Sequence, residues 1–402
     1  MAIAALFFCC AALPRHEHSA AGTFLITTPG GPYISGGPIA LQTSGTSALV
    51  TFSVIGPGSI NDNSYQTPQL AEPTSATIVA STPFAYAIRE LRLVPAPKRN
   101  RSLIAVAAYN GGISLHSPVD FSLIGIVPMA GAPGDVAIAK NGDLYAPATN
   151  ATTLVSVSRA PWTVSTVNDV PFGNEVLYDE DQRAVFISNR DVNGKGALTR
   201  IIDGKTDRVV TGVTAEGLAL DETRHRIYVG NVNDGTVLEL DSRTLLPVRR
   251  IPAVTRPFGI ALDAVHQKLF VVSNQDTEMR RGGGFIAKID LAPAETRIEM
   301  RSKDIPFPVG IVLDSRTQTL FVTDEGGAIY ILDARTLAQR HAPLAACAVP
   351  WKPHLDERMR RLYVPCARAN KVAVYNVDTL RQLRGSPFST GTYPLAVATS
   401  NQ

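Results

Sequence analysis

The sequence predicts an all-β fold, a single β-propeller of four-stranded blades, from one pattern that recurs along the chain. The pattern is an apolar strand ending in Asp, a polar turn, a second strand of the Leu-Phe-Val type, a Gly or Asn turn, and a third strand that also ends in Asp. The Asp residues that end the first strand lie 42, 42, 51 and 42 residues apart; they are Asp179, Asp221, Asp263, Asp314 and Asp356. A period of roughly 40–45 residues with four strands per unit is typical of a propeller blade.

The strands of each unit can be recognised by alternating apolar and polar residues. Residues 259–263 (GIALD) and 269–272 (LFVV) represent the first and second strands, and residues 236–241 (TVLELD) and 328–333 (AIYILD) the third. An Asp-x-x-Thr sequence follows the third strand, as at Asp241 and Thr244. Short polar side chains of this kind accept neighbouring backbone N–H groups, so this sequence predicts a turn.

The blade count depends on weaker copies of the pattern near the N-terminus. Residues 90–112 and 134–150 extend the array to seven units, and residues 393–400 match a first strand without partners. We expect those partners in residues 23–82, so that the C-terminal strand joins N-terminal strands and closes the ring. The count is then eight blades. Seven is the alternative, if the N-terminal region is a separate flap.

The predicted organisation is an apolar leader over residues 1–21 and a propeller over residues 22–402. Within the propeller, residues 22–83 form the degenerate N-terminal part of the closing blade and residues 84–402 the regular repeats. The run 3–13 has the length of the apolar core of a signal peptide, and residues 19–21 (SAA) offer a cleavage site. A positive segment before this run is missing, which indicates either a start site placed too far downstream or an apolar tail that is not a signal.

The leader predicts export, to the periplasm or the extracellular space. Cys9 or Cys10 is a candidate for lipidation, although Phe7 and Phe8 stand where small residues are expected. No other stretch is long and apolar enough to span a membrane. Cys347 and Cys366 flank one strand pair, and export would permit a bridge between them. The expected hairpin register places Cys366 opposite residues near Trp351, so a bridge is possible but not favoured.

The composition excludes some classes of function. The 402 residues are 45% hydrophobic and 18% charged, which suits a large core and excludes a disordered chain. The net charge is only +3, and the one dense basic run, Arg358, Arg360 and Arg361, falls in a predicted turn. We therefore expect no nucleic-acid partner. The sequence has no Cys-x-x-Cys spacing, so we expect no zinc cluster, and we expect no cofactor.

The second strands resemble those of the YVTN-repeat propellers, which are related to the NHL and lactonase-type propellers. The matching residues are 227–229 (IYV), 269–271 (LFV), 320–322 (LFV) and 362–364 (LYV), each before a turn. The resemblance covers roughly residues 84–402. It implies a cell-surface or periplasmic propeller, with lactone-acting relatives. Two departures are Ala139, in place of an anchoring Asp, and Pro365-Cys366, in place of the usual small residue and Asn.

A candidate site follows from the repeat alignment, because first strands line the channel of a propeller and the loops at its mouth form the usual site. Four residues before the anchoring Asp, three units have Gly, whereas others have Asp135, Glu175 or Lys352. Clustered ionisable groups in a cleft are candidates for function. The residues expected to converge on one mouth are Asp135, Asn174, Glu175, Glu216, Arg256, Trp351, Lys352 and His354. The alternative is a wet mouth where opposite charges only neutralise each other.

These residues lead to three hypotheses of function. The first is a monomeric, non-catalytic binding scaffold that holds a protein or a small polar or anionic ligand, with Arg256 and Lys352 on the anion and no metal. The second is a lactonase- or lyase-like enzyme with Glu175 or Glu216 as base or metal ligand and His354 as the acid–base group. The third is a structural cell-surface protein. We expect the cluster to lie outside the inter-blade core, so that Ala substitutions leave the fold intact.

Overall fold

The computed structural model describes residues 19–20, 24–274, 283–293 and 296–400. The predicted leader and the lipidation candidates Cys9 and Cys10 lie outside these ranges, apart from the short strand Ser19–Ala20. Nearly all the described elements are β-strands; the one helical segment in these ranges is a 3₁₀ turn at Ala367–Ala369. The described part of the chain contains no helix with the length and apolarity needed to cross a membrane. The predicted all-β propeller is confirmed.

Seven antiparallel four-stranded blades form the ring in the described ranges. Five of them are separate sheets, whereas blade 1 is part of a nine-stranded sheet and the sheet of blade 7 has a fifth strand. We number the blades along the ring from the one that holds the C-terminal strand. The strands are given innermost first. Blade 1 consists of Pro394–Thr399, Ile104–Ala108, Gly112–His116 and Leu123–Val127, and blade 2 of Ala137–Ile138, Leu144–Pro147, Thr153–Arg159 and Trp162–Asn168. Blade 3 consists of Gly173–Asp179, Ala184–Val192, Lys195–Ile202 and Lys205–Gly212, and blade 4 of Ala215–Asp221, Arg226–Asn231, Thr236–Asp241 and Pro247–Pro252.

Blades 5 to 7 continue the ring. Innermost first, blade 5 consists of Pro257–Asp263, Lys268–Ser273, Phe285–Asp290 and Ile298–Arg301, and blade 6 of Pro308–Asp314, Thr319–Asp324, Ala328–Asp333 and Gln339–Ala345. Blade 7 consists of His354–Asp356, Arg361–Cys366, Lys371–Asn376 and Arg381–Gln382, and Phe388–Ser389 also pairs with its third strand. The innermost strand of each blade contacts that of the next, and the innermost strand of blade 7 contacts that of blade 1, so the ring is closed.

The C-terminal strand closes the ring at a different place from the one predicted. Pro394–Thr399 pairs antiparallel with Ile104–Ala108, whereas the one strand of residues 23–82 that pairs with this blade, Tyr33–Ile34, lies against its outer strand Leu123–Val127. The count of eight blades is therefore wrong, and the described residues form seven. The reason is that residues 90–94, counted as the first strand of a unit, belong to Tyr86–Val94, which pairs with Thr74–Ser81. The inner position of that blade is left to the C-terminal strand.

The N-terminal region forms a β-layer on the outer side of blade 1, so the described part of residues 22–83 extends the sheet of the closing blade and does not supply its inner strands. Its strands are Ser19–Ala20, Leu25–Ile26, Tyr33–Ile34, Pro38–Ala40, Thr43–Ser44, Thr51–Ile55, Ser59–Asn61, Ser64–Gln66, Thr74–Ser81 and Tyr86–Val94. Tyr33–Ile34 lies parallel to both Tyr86–Val94 and Leu123–Val127, and so continues the sheet of blade 1 outward. A separate core that includes Tyr65, Ile78 and Leu91 holds this layer together.

The cores of the ring lie between neighbouring blades. Tyr228 and Val237 of blade 4, for example, pack with Leu269 and Ala287 of blade 5 in one buried cluster. Each strand has a face toward the blade before it and a face toward the blade after it, so apolar residues on both faces are removed from water. This explains why the strands contain long apolar runs.

The anchoring aspartates close the turn between the first and second strands. Asp221 Oδ1 accepts the backbone N–H of Arg224 at 3.0 Å, and Asp263 Oδ1 accepts that of His266 at 3.0 Å. Four residues after each Asp the backbone is left-handed, for example at Arg360 (φ 55°). From that position the side chain of Arg360 forms an ion pair with Asp314 of the preceding blade, at 2.5 Å. The repeated Asp therefore stabilises both its own turn and the contact between blades.

Cys347 and Cys366 form a disulfide with their Cα atoms 5.7 Å apart, so the expectation that disfavoured a bridge is wrong. The register itself was nearly correct, since Pro350 lies opposite Cys366. The chain before Pro350 lies outside the regular ladder, and Val349 adopts a positive φ of 55°. The reversal at Val349 returns Cys347 toward Cys366, which a simple hairpin register does not include.

Candidate functional site

The site lies at the end of the channel where the inner strands begin. The inner strands of blades 3 to 6 each have a β-bulge near their start, such as the register shift between Gly173 and Val176. A bulge leaves a backbone group outside the ladder, and that group needs another partner. The N–H of Val176 donates to Asp135 Oδ2 at 3.1 Å, and the N–H of Leu218 donates to Glu175 Oε2 at 2.8 Å. Two predicted site residues thus accept bulge N–H groups of the next blade.

Lys352 joins these two carboxylates. Its Nζ lies 2.6 Å from Asp135 Oδ2 and 3.2 Å from Glu175 Oε2. The Asp135 side chain is 5% exposed and that of Glu175 14%, whereas that of Lys352 is 32% exposed. Burial raises the pKa of Glu175 to about 7, against the opposing effect of Lys352 and with a further contribution from Asp135. Burial alone would lower the pKa of Lys352, but the two carboxylates raise it above its ordinary value.

A second ion pair lies beside the first. Glu216 accepts hydrogen bonds from Asn174 and from Arg190, whose Nε lies 2.5 Å from Glu216 Oε1. Burial raises the pKa of Glu216, although the charge of Arg190 opposes the shift. Sequence reasoning missed Arg190. The sequence contained a signal for it. Arg190 comes directly after Asn189, near the end of the second strand of blade 3. In an antiparallel pair, the end of the second strand lies beside the start of the first, which is where the site was expected.

The two ion pairs border a cavity of about 40 Å³. The cavity is lined by polar and by apolar side chains. The polar ones are those of Asn174, Glu175, Arg190, Glu216 and Lys352, and the apolar ones include those of Phe258, Ile260, Val309, Ile311 and Trp351. The rings of Phe258 and Trp351 meet edge to face, with centroids 6.0 Å apart. This volume is enough for a few water molecules or one small polar group. We call these side chains, with Asp135, the channel cluster.

Three predicted residues, Asp135, Arg256 and His354, lie outside the cavity wall, although Asp135 contacts Lys352. Arg256 lines a separate groove with Phe285 and Arg301, and its charge lowers the pKa of Glu216. His354 is hydrogen-bonded through Nε2 to Thr399 Oγ1 at 2.9 Å, on the closing strand. Burial lowers the pKa of His354 to about 4, so its imidazole is neutral at physiological pH. The roles of anion holder for Arg256 and of acid–base group for His354 stay predictions.

The fold does not require charged residues at these positions. Gly217, Gly259 and Gly310 occupy the position of Asp135 and Glu175 in blades 4 to 6, where a Cβ at Gly217 would lie 2.2 Å from the carbonyl oxygen of Phe258. In blades 2 and 3, however, Asp135 and Glu175 accept hydrogen bonds from the next blade. We therefore expect Ala substitutions of Asp135 and Glu175 to destabilise the fold, because they would remove the acceptors for the backbone N–H groups of Val176 and Leu218.

Comparisons with known proteins identify similar folds only. No protein-family model matches the sequence, and no curated protein matches it. Among solved structures, a functionally unknown protein from Desulfotomaculum acetoxidans is 15% identical, with a TM-score of 0.59, and the match covers 75% of this chain and 99% of that one. Membership of the YVTN family stays a prediction.

Two enzymes of known structure are also similar. Hydrazine synthase from Kuenenia stuttgartiensis is 13% identical with a TM-score of 0.55, and the match covers 66% of this chain and 88% of that one. Virginiamycin B lyase from Staphylococcus aureus is 13% identical with a TM-score of 0.53, covering 67% and 91%. At such identities these likenesses show the propeller fold and leave activity open.

Proposed function

We propose that this chain is an exported propeller scaffold that binds the polar group of a small ligand, or of a partner, in the channel cavity. The observation that carries the proposal is the channel cluster itself. Three blades have Gly where the others have Asp135, Glu175 and Lys352. Burying charged groups costs free energy, and a propeller core does not need them. A lining of apolar and aromatic side chains with a few polar groups among them is the usual composition of a ligand site.

The bound group is an uncharged hydrogen-bonding group, which keeps the small polar ligand of the expectation and leaves out the anionic one. Lys352 is already paired with Asp135 and Glu175, and Arg190 with Glu216. An anion would have to compete with three carboxylates for these two cations. A neutral amide, hydroxyl or lactone carbonyl can instead accept a hydrogen bond from Asn174 or Lys352 and leave both pairs in place.

The test is a ligand screen by thermal shift with matched series of neutral amides, polyols and lactones, carboxylates, and amines. Neutral compounds should raise the melting temperature, and Glu175→Gln should weaken their binding while keeping an acceptor for Leu218 N–H. Glu222→Gln is the matched control. Glu222 also accepts a backbone N–H of the preceding blade, that of Glu180, but follows the end of an inner strand. Preferential binding of carboxylates would contradict the proposal.

Export is part of the same proposal. The apolar run at residues 3–13 has the composition of a signal core, and the Cys347–Cys366 disulfide suits an oxidising compartment. Mature protein recovered from the periplasm or medium should begin after residues 19–21, as mass spectrometry of the intact chain would show. A chain that keeps Met1 in the cytoplasm, with both thiols free, would contradict export.

A second candidate is a lactone-opening or lyase-like enzyme, which the pKa of Glu175 favours. A carboxyl group with a pKa of about 7 can accept and return a proton near neutral pH, as a general base requires. In lactone hydrolysis Glu175 would take a proton from the water that attacks the carbonyl carbon. Hydrolysis of γ- and δ-lactones that rises with pH through about 7 and disappears in Glu175→Gln would support the enzyme. Binding without turnover would support the scaffold.

A further inference from the structure

A second cleft lies between blades 2 and 3, at the opposite end of the inner strands from the channel cluster. Its volume is about 700 Å³, and Leu154, Val185 and Ile201 form a buried apolar floor. Tyr145 and Tyr178 stand above this floor with their rings stacked, centroids 5.3 Å apart and planes 9° from parallel. We call this cleft the tyrosine groove. The seven-residue inner strand Gly173–Asp179 separates its two ends by roughly 20 Å.

The other blades show that the tyrosine groove departs from the repeat. Tyr145 pairs with Ala137, just as Phe270 of blade 5 pairs with Ala261, so the two aromatic residues are equivalent. The aromatic residues at this position in blades 3 to 7 are all buried, with exposures of 0–3%: Phe186, Tyr228, Phe270, Phe321 and Tyr363. Tyr145 alone in this set is half-buried. The contact between blades 2 and 3 is therefore open where the others are closed.

Tyr178 explains the opening. It occupies the position just before the anchoring Asp, where blades 4 to 7 have Leu220, Leu262, Leu313 and Leu355. In those blades the Leu packs into the cluster between blades, as Leu262 does beside Tyr228. The larger ring of Tyr178 packs with Tyr145 against the equivalent cluster between blades 2 and 3, and its hydroxyl needs a polar environment. The Tyr178 ring therefore stacks on Tyr145 and leaves part of both rings accessible.

The rim of the tyrosine groove carries carboxylates held by neutral donors. Asp143 accepts hydrogen bonds from the backbone N–H of Arg159 and the side-chain amide of Asn141, both at 2.8 Å. Glu180 accepts the backbone N–H of Lys140 at 2.5 Å. Asp203 is a third rim carboxylate, and the two rim cations, Lys140 and Arg183, are exposed to solvent. Three carboxylates against two cations leave the rim with a formal charge of −1.

The negative charge of the rim also affects the pKa values of the two tyrosine hydroxyls. Burial raises the pKa of Tyr145, and Tyr178, Asp143 and Glu180 raise it further. Burial also raises the pKa of Tyr178, again with a contribution from Glu180, which Arg183 opposes. Both hydroxyls therefore stay protonated, close to carboxylate charge.

We propose that the tyrosine groove is a binding site for an organic cation, in which an alkylammonium group lies among Asp143, Glu180 and the two tyrosine hydroxyls and its alkyl chain lies over the apolar floor. Aromatic faces attract cations, and the rim carboxylates Asp143 and Glu180, which accept hydrogen bonds from neutral N–H donors, add to that attraction even with the buried Arg159 near Asp143. The volume falls within the range of small-molecule sites. This inference is independent of the channel cavity and of the function proposed for it.

The test is isothermal titration of the full-length protein with n-butylammonium, n-butanol and n-butyrate, three probes of nearly equal size and different charge. Butylammonium should bind with saturation, at least about tenfold more tightly than butanol, and butyrate should not bind. Tyr178→Leu, which restores the residue of the other blades, should weaken butylammonium binding at least tenfold. The double change Asp143→Asn with Glu180→Gln keeps the hydrogen-bond acceptors, removes the charge and should weaken binding similarly.

Glu357→Gln is the control, since Glu357 follows Asp356 as Glu180 follows Asp179 and likewise accepts a backbone N–H, that of Ser315, but does not line the tyrosine groove. It should leave butylammonium binding unchanged. Equal affinity for butanol, or full affinity in the charge-free double variant, would overturn the proposal. If Tyr178→Leu fails to fold, the double variant decides. A capped Gly-Lys-Gly peptide distinguishes the sources of the cation. Tighter binding of the peptide than of butylammonium assigns the groove to a lysine of a protein partner, and weaker binding to a free amine.

Discussion

Lys352 of blade 7 and Asp135 of blade 2 form an ion pair of 2.6 Å, although they are 217 residues apart in sequence. The blade between them is blade 1, whose inner strand is the C-terminal segment Pro394–Thr399. The ion pair therefore spans the closing blade at one end of the channel. Glu175 of blade 3 extends the link, so that one ammonium group connects three blades.

Replacing Lys352 should destabilise the protein. Lys352→Gln leaves Asp135 and Glu175 without their cation, and uncompensated buried charges are costly. The loss should be smaller than the roughly 3–5 kcal/mol found for fully buried pairs, because the side chain of Lys352 is 32% exposed. Urea denaturation at pH 8 measures the change. Adding Glu175→Gln should recover part of the loss, and no recovery would show that the two residues are not coupled.

Stability should depend on pH through Glu175. Its pKa in the folded protein, about 7, lies above the ordinary value of 4.5. The folded state therefore binds the proton more tightly, and this contribution to stability is complete below about pH 4.5 and is lost as pH rises through 7. Glu175→Gln removes the effect, so the stability of the variant relative to wild type should increase from pH 4.5 to pH 8. Urea denaturation at several pH values measures it, and a constant difference would contradict the assignment.

Closure by the C-terminal strand predicts that the last residues are essential. Deleting residues 394–402 uncovers Ile104–Ala108, all of whose residues are fully buried, and leaves an apolar strand edge open to other chains. The truncated protein should melt at a lower temperature and aggregate, as differential scanning fluorimetry and light scattering would show. Ser400→Ala is a milder variant. It removes the acceptor of the Leu103 N–H, 2.7 Å away, and should cost about 1 kcal/mol. An unchanged melting temperature after truncation would refute closure.

The Cys347–Cys366 disulfide should stabilise the protein. The two cysteines are 19 residues apart in sequence. Closing a loop of this size lowers the conformational entropy of the unfolded chain and so raises its free energy by about 3 kcal/mol. The double substitution to Ala should lower the free energy of unfolding by about that amount. Wild-type protein treated with a reductant is the matched comparison and should behave like the double variant. If reduction leaves the denaturation midpoint unchanged, the bridge does not contribute to stability.

Part of this architecture can be predicted from the sequence because repeats carry their register with them. The spacing of the anchoring aspartates, such as Asp179, Asp221 and Asp263, locates the inner strands of blades 3 to 7, so residues at the same distance before each Asp must share one end of the channel. That reasoning brings Glu175 and Lys352 together, and the structure shows them in contact. Local hydrogen bonding within one unit decides these features.

The tertiary structure alone decided where the non-repeating segments pair. Residues 90–94 satisfy the pattern of an inner strand, yet they pair with the N-terminal layer and reduce the count to seven blades. Cys347 reaches Cys366 only because the chain reverses at Val349. The open contact between blades 2 and 3, where Tyr145 stacks on Tyr178, depends on the shape of the two adjacent blades. An apolar strand can pair with any compatible edge, and the choice depends on long-range packing, which one sequence does not display.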